Sequence, residues 1–210
     1  IRSEIAALSG LPVIVKGGVS IKLFPRFAAI INNIEIGSFA APKTAAMTAA
    51  TLEVDLSRLA ALGNRLKINA LRFYAADIRL ADDGAGNWLP ARMASQLAPA
   101  ILAEQRSAGA LASAPQTGWS IGSVRLTRSR LRFFGTGGLE EDISDADLML
   151  DWPRLAAPLT VSGGGTWRGK PARFSARLQN IIPMAAGNNS AVTFDAESGA
   201  ARLSFDGFAN

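Results

Sequence analysis

Apolar and polar residues alternate along most of this chain. Five runs show the alternation most plainly: Val19, Ile21 and Leu23; Leu52, Val54 and Leu56; Ala76, Ile78 and Leu80; Ala146, Leu148, Leu150 and Trp152; Ala172, Phe174, Ala176 and Leu178. A period of two gives each strand one apolar and one polar face, as in an antiparallel sheet covered on one side. The pattern, with Gly-rich turns between the runs, predicts about ten to twelve strands.

Helical patterns occupy a smaller part of the chain. Residues 1–8 and 91–111 are predicted to be helical, with a weaker single turn at 57–62. Pro90 lies in the first turn of the longer helix and Pro99 in its interior, so a kinked helix or two shorter ones are expected. The predicted fold class is α+β but mainly β: a long curved antiparallel sheet with one apolar face, partly covered by helices.

The middle of the chain has the composition of a linker. Residues 113–118 read Ser-Ala-Pro-Gln-Thr-Gly, which combines small, polar and turn-forming residues. We therefore predict a first strand-rich unit over 1–112 and a second over 119–210 that continues the same sheet.

Part of the pattern repeats. Six residues recur at a spacing of 53, in which Ile68, Leu71, Arg72, Ile78, Arg79 and Leu80 match Ile121, Val124, Arg125, Leu131, Arg132 and Phe133. Small polar pairs, Asn32-Asn33 and Ser144-Asp145, lie in shorter related segments and predict a shift of strand register after which alternation resumes. We interpret the repeat as a duplicated hairpin, the alternative being that any two alternating hairpins look alike.

Composition excludes most catalytic chemistry. The chain has 210 residues, of which 49% are hydrophobic and 19% charged, and it contains neither Cys nor His. This apolar content is enough for a buried core, so the chain is expected to fold. Without Cys or His there is no disulfide, thiolate zinc site, Cys nucleophile or His-based triad. We predict a protein that is not an enzyme and has no cofactor or metal.

Two local clusters are candidate sites. The carboxylates of Glu140, Glu141, Asp142, Asp145 and Asp147 could bind a hard cation, but they lack calcium-loop spacing and are interpreted as an exposed hairpin turn. The run 163–165 is Gly-Gly-Gly, which cradles phosphate only where it begins a helix. An alternating strand follows instead, so a bulge or bend is predicted there.

The net charge of +5 raises nucleic acid as a partner. Arg125, Arg128, Arg130 and Arg132 stand beside two phenylalanines, a combination found in single-strand binders. The alternative is that these arginines form the solvent face of a sheet with their stems over apolar neighbours. We favour the alternative, and nucleic acid is not an expected partner.

Several short motifs are shared with one known family. They are Leu8-Ser9-Gly10-Leu11-Pro12-Val13, the run Gly17-Gly18-Val19-Ser20-Ile21-Lys22-Leu23-Phe24-Pro25, Asn33-Ile34-Glu35-Ile36-Gly37, the stretch 66–80, Gly86-Asn87-Trp88, and the pattern over 148–178 that includes Leu-Asp-Trp-Pro and Gly-Thr-Trp-Arg-Gly-Lys-Pro. In these motifs the chain resembles the N-terminal periplasmic region of the AsmA family of bacterial envelope proteins. The Leu-Phe-Pro element is the most specific of them.

The resemblance implies a location and a function. It implies a periplasmic chain held in the inner membrane by an N-terminal transmembrane helix that this sequence lacks. It also implies an elongated, curved β-groove with an apolar interior, similar to bridge-like lipid-transfer proteins, and a part in outer-membrane assembly. The expected partners are phospholipid acyl chains, the inner membrane and other envelope proteins, and the family brings no catalytic residues.

One apolar sheet face has to be covered by helices, by curling or by a ligand. If the few helical residues leave part of it open, the face forms a trough suited to acyl chains. The predicted lining residues are Val19, Ile21, Leu23, Leu52, Val54, Leu56, Ile78, Leu80, Leu148, Leu150, Phe174 and Leu178. Three alternatives stay open: an ordinary packed core, a scaffold whose sheet edge recruits proteins by strand addition, and a peripheral binder of anionic lipid headgroups.

Overall fold

A computed structural model describes residues 12–24, 26–37, 46–56, 68–81, 122–135, 140–153, 157–180 and 188–209. Most of these residues lie in eleven strands of a single open, curved sheet. The strands are β1 (Val13–Val15), β2 (Val19–Lys22), β3 (Ala28–Gly37), β4 (Ala46–Leu56), β5 (Ile68–Ala81), β6 (Ser123–Phe134), β7 (Glu140–Asp151), β8 (Leu159–Trp167), β9 (Lys170–Leu178), β10 (Ser190–Ser198) and β11 (Ala201–Ala209). The prediction of a mainly β chain is confirmed.

The strands follow one another across the sheet almost in chain order. The order is β1-β3-β4-β5-β6-β7-β8-β9-β10-β11, and β2 pairs with β3 beside β1. All of these pairs are antiparallel except β5 with β6, which is parallel. The prediction of a fully antiparallel sheet is therefore wrong at this pair. A parallel pair needs a long crossover between its strands, and residues 82–122 supply that length.

The parallel pair is also where the repeat lies. Leu71 of β5 pairs with Val124 of β6, and Ile78 pairs with Leu131, so repeated positions stand directly beside each other. The prediction that the repeat is a duplicated hairpin is wrong. Each copy of the repeated segment forms one long strand, β5 or β6. Two strands with the same pattern present matching faces when they run parallel and in register.

Strands β3, β5, β6 and β7 each contain one non-glycine residue with a left-handed backbone, and these positions are called the bulge line below. Asn33, Ala75, Arg128 and Asp145 have φ of 48–50°, which non-glycine residues rarely adopt. The side of the apolar positions changes at each bulge, since odd-numbered residues before Asn33 and even-numbered ones after it are buried. The register shift predicted at Ser144-Asp145 is confirmed, because the pairing of β7 with β6 and with β8 shifts there. At Asn32-Asn33 the buried side of β3 changes, but β3 and β4 keep the same register, so the predicted shift is not found in this pair.

The pairing of the strands gathers the apolar side chains on one face of the sheet. Opposed residues share a face, so one row can be followed from β3 to β11: Ile31, Leu52, Phe73, Leu126, Leu148, Gly163, Phe174, Ala196 and Leu203. The face that carries this row is called the apolar face below. The predicted one-sided sheet is thus confirmed.

Burial of the apolar face falls along the sheet. On β3, β4 and β5 it forms a core in which Ile34, Leu52 and Val54 have at most 1% of their surface exposed. On β9 and β10 the same face is only half-buried. On β11, Leu203 and Phe205 are exposed. The apolar face therefore changes from a packed core on β3 to β5 to an open surface toward β11, and it is also exposed on β2, at Val19 and Ile21.

The predicted helices lie outside the described residues, as do the weaker turn at 57–62 and the linker at 113–118. The described residues form no helix, so they do not support the predicted helical cover of the sheet. In this part of the chain no helix has the length and apolar character needed to cross a bilayer.

Candidate functional site

The open end of the apolar face contains a groove of about 570 Å³. Its apolar lining comes from strands β6 to β11 and consists of Phe133, Ile143, Trp167, Ala172, Phe174, Phe194, Ala196, Ala201 and Leu203. This volume lies within the range typical of small-molecule pockets. The groove is thus large enough for an apolar ligand.

Small side chains make room for the groove. The register places Ala172 beside Ser198, and Ser198 beside Ala201, in one row of the apolar face. Larger residues border this row on both sides, with Trp167 toward the turn of the β8–β9 hairpin and Phe174 in the next row. The groove therefore results from the order of small and large residues along the strands.

Glycines in β8 leave part of the apolar face without side chains. Gly163 stands between Leu148 and Phe174 on the apolar face, where it contributes no side chain. A Cβ on Gly163 would lie 2.2 Å from the Asp147 carbonyl oxygen, and one on Gly165 would lie 2.8 Å from Ile143 Cγ2. The glycines are needed where β8 approaches the bulged part of β7. The bulge predicted for residues 163–165 therefore lies in β7, because the glycine run itself pairs with β9 without a shift.

The predicted lining residues share the apolar face but differ in exposure. All except Leu23, which follows the end of β2, lie in strands on that face. Leu52, Val54 and Leu56 are buried in the core; Val19, Ile21 and Leu23 are exposed; Ile78, Leu80, Leu148, Leu150, Phe174 and Leu178 are intermediate. Phe174 is the one of these residues that lines the groove.

Sequence reasoning missed most of the groove. Phe133, Ile143 and Trp167 follow bulges or precede a turn, where the parity of the apolar positions is hard to assign. Phe194 and Leu203 belong to regular alternating strands, so the alternation itself was a usable signal for them.

Ion pairs connect neighbouring strands across the opposite, polar face. Arg72 lies 2.9 Å from Glu53 and 3.3 Å from Asp55. Arg132 lies 2.5 Å from Asp77, and Arg130 lies 2.5 Å from Asp142. Two arginines of the candidate nucleic-acid patch are therefore neutralised by carboxylates of adjacent strands, which favours their interpretation as part of a solvated sheet face.

The acidic cluster has a structural role in the described residues. Glu140, Glu141 and Asp142 begin strand β7, so their interpretation as a turn is wrong. The Asp147 carboxylate accepts a hydrogen bond from the backbone N–H of bulge residue Arg128, 2.9 Å away. Hydrogen bonding by the Arg130 guanidinium lowers the pKa of Asp142. The described residues form no group of three potential metal ligands.

Glu141 differs from the rest of that cluster because it lies on the apolar face, opposite Phe133. It accepts a hydrogen bond from Trp167 Nε1 at 2.7 Å and pairs with the Arg168 guanidinium. The hydrogen bonds from Arg168 and then Trp167 lower the pKa of Glu141. The carboxylate therefore stays ionised at the end of the apolar groove.

Comparison with protein-family models, with curated proteins and with solved structures finds no significant match to this chain. The resemblance to the AsmA family thus rests on the sequence motifs, and it stays a prediction. The geometry of the sheet has to carry the functional argument.

Proposed function

We propose that this chain binds phospholipid acyl chains on the apolar face of its sheet, as the periplasmic part of an envelope protein anchored in the bacterial inner membrane. Conduction of lipid along the face, in support of outer-membrane assembly, is the activity that the motif resemblance implies. The proposal includes no catalysis and no cofactor. It extends to the predicted partial cover of the sheet by helices.

One observation carries the proposal: the apolar face continues through every strand from β3 to β11 while its burial falls toward β11. Exposed apolar surfaces of this kind mark sites for apolar partners. Each square ångström of apolar surface that a ligand covers contributes about 25 cal/mol. An acyl chain on the open end gains burial that the protein does not supply there.

The first experiment asks whether lipid binds at the groove. Phe174→Glu places a carboxylate among the groove residues, whereas Ser175→Glu places one on the opposite face of the same strand. We expect phospholipid in extracts of the natively purified wild-type chain, uptake of fluorescent phospholipid by it, and loss of both in Phe174→Glu alone. Far-UV circular dichroism and thermal unfolding check that the variants fold.

A second groove variant is needed in case Phe174→Glu fails to fold. Leu203→Glu alters the exposed edge of the same groove, where a new charge stays solvated and the fold is least affected. No recovered phospholipid and no uptake by the wild-type chain would overturn the proposal. So would uptake that survives both groove substitutions.

The edge of β11 supports a second candidate, an interaction module that works by strand addition. Among the described strands β11 is the last of the sheet, and Leu203, Phe205 and Phe208 are all at least half exposed on it. An exposed edge strand with apolar side chains is a template for pairing with another strand. This candidate needs no lipid.

A hydrogen bond next to β10 shows which residues of β11 point their backbone N–H and C=O groups away from the sheet. The N–H of Gln179 donates to the Ala191 carbonyl, so odd-numbered residues of β10 face β9 and even-numbered ones face β11. Phe194 therefore bonds to its partner Phe205. Backbone groups of even-numbered β11 residues point outward.

The free edge of β11 is complementary to a second copy of itself. In an antiparallel pair centred on Ser204, each Arg202 stands opposite an Asp206 and each Leu203 opposite a Phe205. The pairing uses the outward-facing backbone groups and keeps the apolar faces on one side. The occupant of this edge is therefore a second copy of the chain.

Proline at the centre of the edge tests this candidate. Ser204→Pro removes an outward N–H and leaves the ladder to β10 intact, while Ser204→Ala alters only the side chain. Sedimentation velocity should show a dimer for the wild type and for Ser204→Ala, and a monomer for Ser204→Pro. A monomeric wild type at all concentrations excludes the second candidate.

A further inference from the structure

Charged residues are almost confined to the polar face and the bulges in the described strands. Two exceptions lie on the apolar face: Glu141, which is opposite Phe133, and Lys170, which is opposite Trp167. Both stand at the same end of the groove, beside the β8–β9 hairpin. The apolar face therefore has one polar end, and this end is built from three strands.

Glu141 and Lys170 differ in whether a residue of opposite charge lies near them. Glu141 is neutralised by Arg168 and also accepts a hydrogen bond from Trp167. Lys170, by contrast, is exposed and has no carboxylate within 4.0 Å in the part of the chain that the structure describes. Lys170 is thus a cation beside this end of the groove with no carboxylate partner among the described residues, whereas the arginines that line the groove, Arg173 and Arg202, both lie near Glu197.

The position of Lys170 joins this charge to the groove. Its neighbours on the same face, Trp167 across the turn and Ala172 along the strand, both line the groove. Its Cδ lies 3.9 Å from the Cβ position of Gly199, in the turn between β10 and β11. An aliphatic stem along the apolar surface with the ammonium in water is how lysine behaves at apolar–aqueous boundaries.

Arg168 adds a second cationic group at the same end. Its guanidinium lies over the Trp167 ring, 5.0 Å from the ring centroid. At the other end of β9 the apolar face carries Leu178, opposite Val192 and Leu159, and no charge. Lys170 and Leu178 are eight residues apart, about 26 Å at the rise of a strand. The groove side of β9 is therefore amphiphilic along its length.

We propose that the groove takes an amphiphile with an anionic head group, whose phosphate or carboxylate pairs with the Lys170 ammonium. The tail lies against Ala172 and Phe174 and extends toward Leu178. This assignment rests on the proposed lipid-binding function and fixes the orientation of the lipid within it: the head at the β8–β9 hairpin, and the tail along β9. The head group is assigned to the hairpin because an anionic group complements the positive charge of Lys170 there, while the Leu178 end of β9 is uncharged on this face.

Two probes with the same tail separate the head-group assignment from lipid binding itself. Dodecyl phosphate and dodecanol are titrated against the full chain, with tryptophan fluorescence as the readout. We expect the wild type to bind dodecyl phosphate about tenfold more tightly than dodecanol, the effect of one charge-assisted contact. Lys170→Gln should remove this preference and leave dodecanol binding unchanged.

Lys22→Gln is the matched control, because Lys22 is an exposed lysine on the polar side of β2. It should leave both affinities unchanged. Inorganic phosphate up to millimolar concentration should not displace dodecyl phosphate, since the tail supplies most of the affinity. Displacement by phosphate that depends on Lys170 would instead indicate a site for soluble anions and overturn the assignment.

The failures can be told apart. Equal binding of both probes by the wild type, or an unchanged preference in Lys170→Gln, would overturn the head-group assignment and leave the lipid-binding proposal standing. Failure of both probes to bind would overturn the lipid-binding proposal and the assignment with it.

Discussion

Leu52 on β4 and Leu203 on β11 occupy the same row of the apolar face but have opposite surroundings. Leu52 is fully buried, whereas 60% of the Leu203 surface is exposed. Both belong to regular alternating strands, and both are reached by the same ladder of paired residues. A sheet face can therefore be uniformly apolar in sequence and still be core in one part and surface in another.

This difference shows where a partner would matter most. At the β4 end, the protein itself covers the apolar face, so little hydrophobic free energy remains to be gained there. At the β11 end, the same kind of surface is left in contact with water. An apolar ligand or a second strand placed on that end gains the burial that the fold leaves unused.

The largest expected effect comes from shortening the two leucines. Leu52→Ala should destabilise the fold by about 2–5 kcal/mol, because it leaves a cavity among fully buried neighbours. Leu203→Ala should change the unfolding free energy by less than about 1 kcal/mol, because water already contacts that side chain. Urea denaturation of both variants measures the difference.

Equal losses in the two variants would contradict the division into a core end and an open end. A loss in Leu203→Ala above about 2 kcal/mol would mean that β11 is covered in solution. Sedimentation at the same protein concentrations then tells whether a second copy supplies the cover.

The glycines of β8 give the next largest effect. Gly163→Ala should destabilise the fold by about 1–3 kcal/mol, because the new Cβ would overlap the Asp147 carbonyl and the Leu148 side chain. Gly18→Ala is the control, since a Cβ there meets nothing within 4 Å. A harmless Gly163→Ala would show that β7 and β8 are not closely packed at the bulge.

Much of the fold follows from alternation. The apolar faces of runs such as 52–56 and 172–178 were assigned correctly, because a half-buried strand has a period of two. The polar pair Asn32-Asn33 marks the point where the buried side of β3 changes, since Asn tolerates the left-handed conformation that Asn33 adopts. The parallel pairing of β5 with β6 was missed, because alternation does not reveal the direction of a neighbouring strand.

The site was less predictable than the fold. Alternation places Leu52 and Phe174 on one face, but it carries no information about what covers each of them. Bulges compound this difficulty, because each one moves the apolar positions from odd to even numbers or the reverse. Ile143 and Leu148 lie on the same face although their spacing is odd. Exposure, and hence the groove, depends on packing that single-strand patterns do not contain.

A smaller effect is expected at the bulge line, which lies between the two ends. Ala75 adopts the left-handed conformation that Asn33 and Asp145 adopt in their strands. Alanine is disfavoured there by about 1 kcal/mol, and asparagine less so. Ala75→Asn should therefore raise stability by up to about 1 kcal/mol, and Asn33→Ala should lower it by a similar amount. Thermal unfolding of both variants checks the opposite signs, and equal signs would refute a strained bulge.

The smallest effect concerns the polar end of the groove. Hydrogen bonds from Arg168 and Trp167 lower the pKa of Glu141, so this carboxylate stays charged below the usual value of about 4.3. The contact is complete above the ordinary glutamate pKa and is lost as the pH falls through the lowered one. The indole N–H resonance of Trp167, assigned with Trp167→Phe, should titrate with a midpoint below 4.3. Arg168→Gln should raise that midpoint, because the guanidinium is the larger cause. A midpoint at the ordinary value in the wild type would mean that Arg168 and Trp167 do not hold Glu141 at the end of the groove.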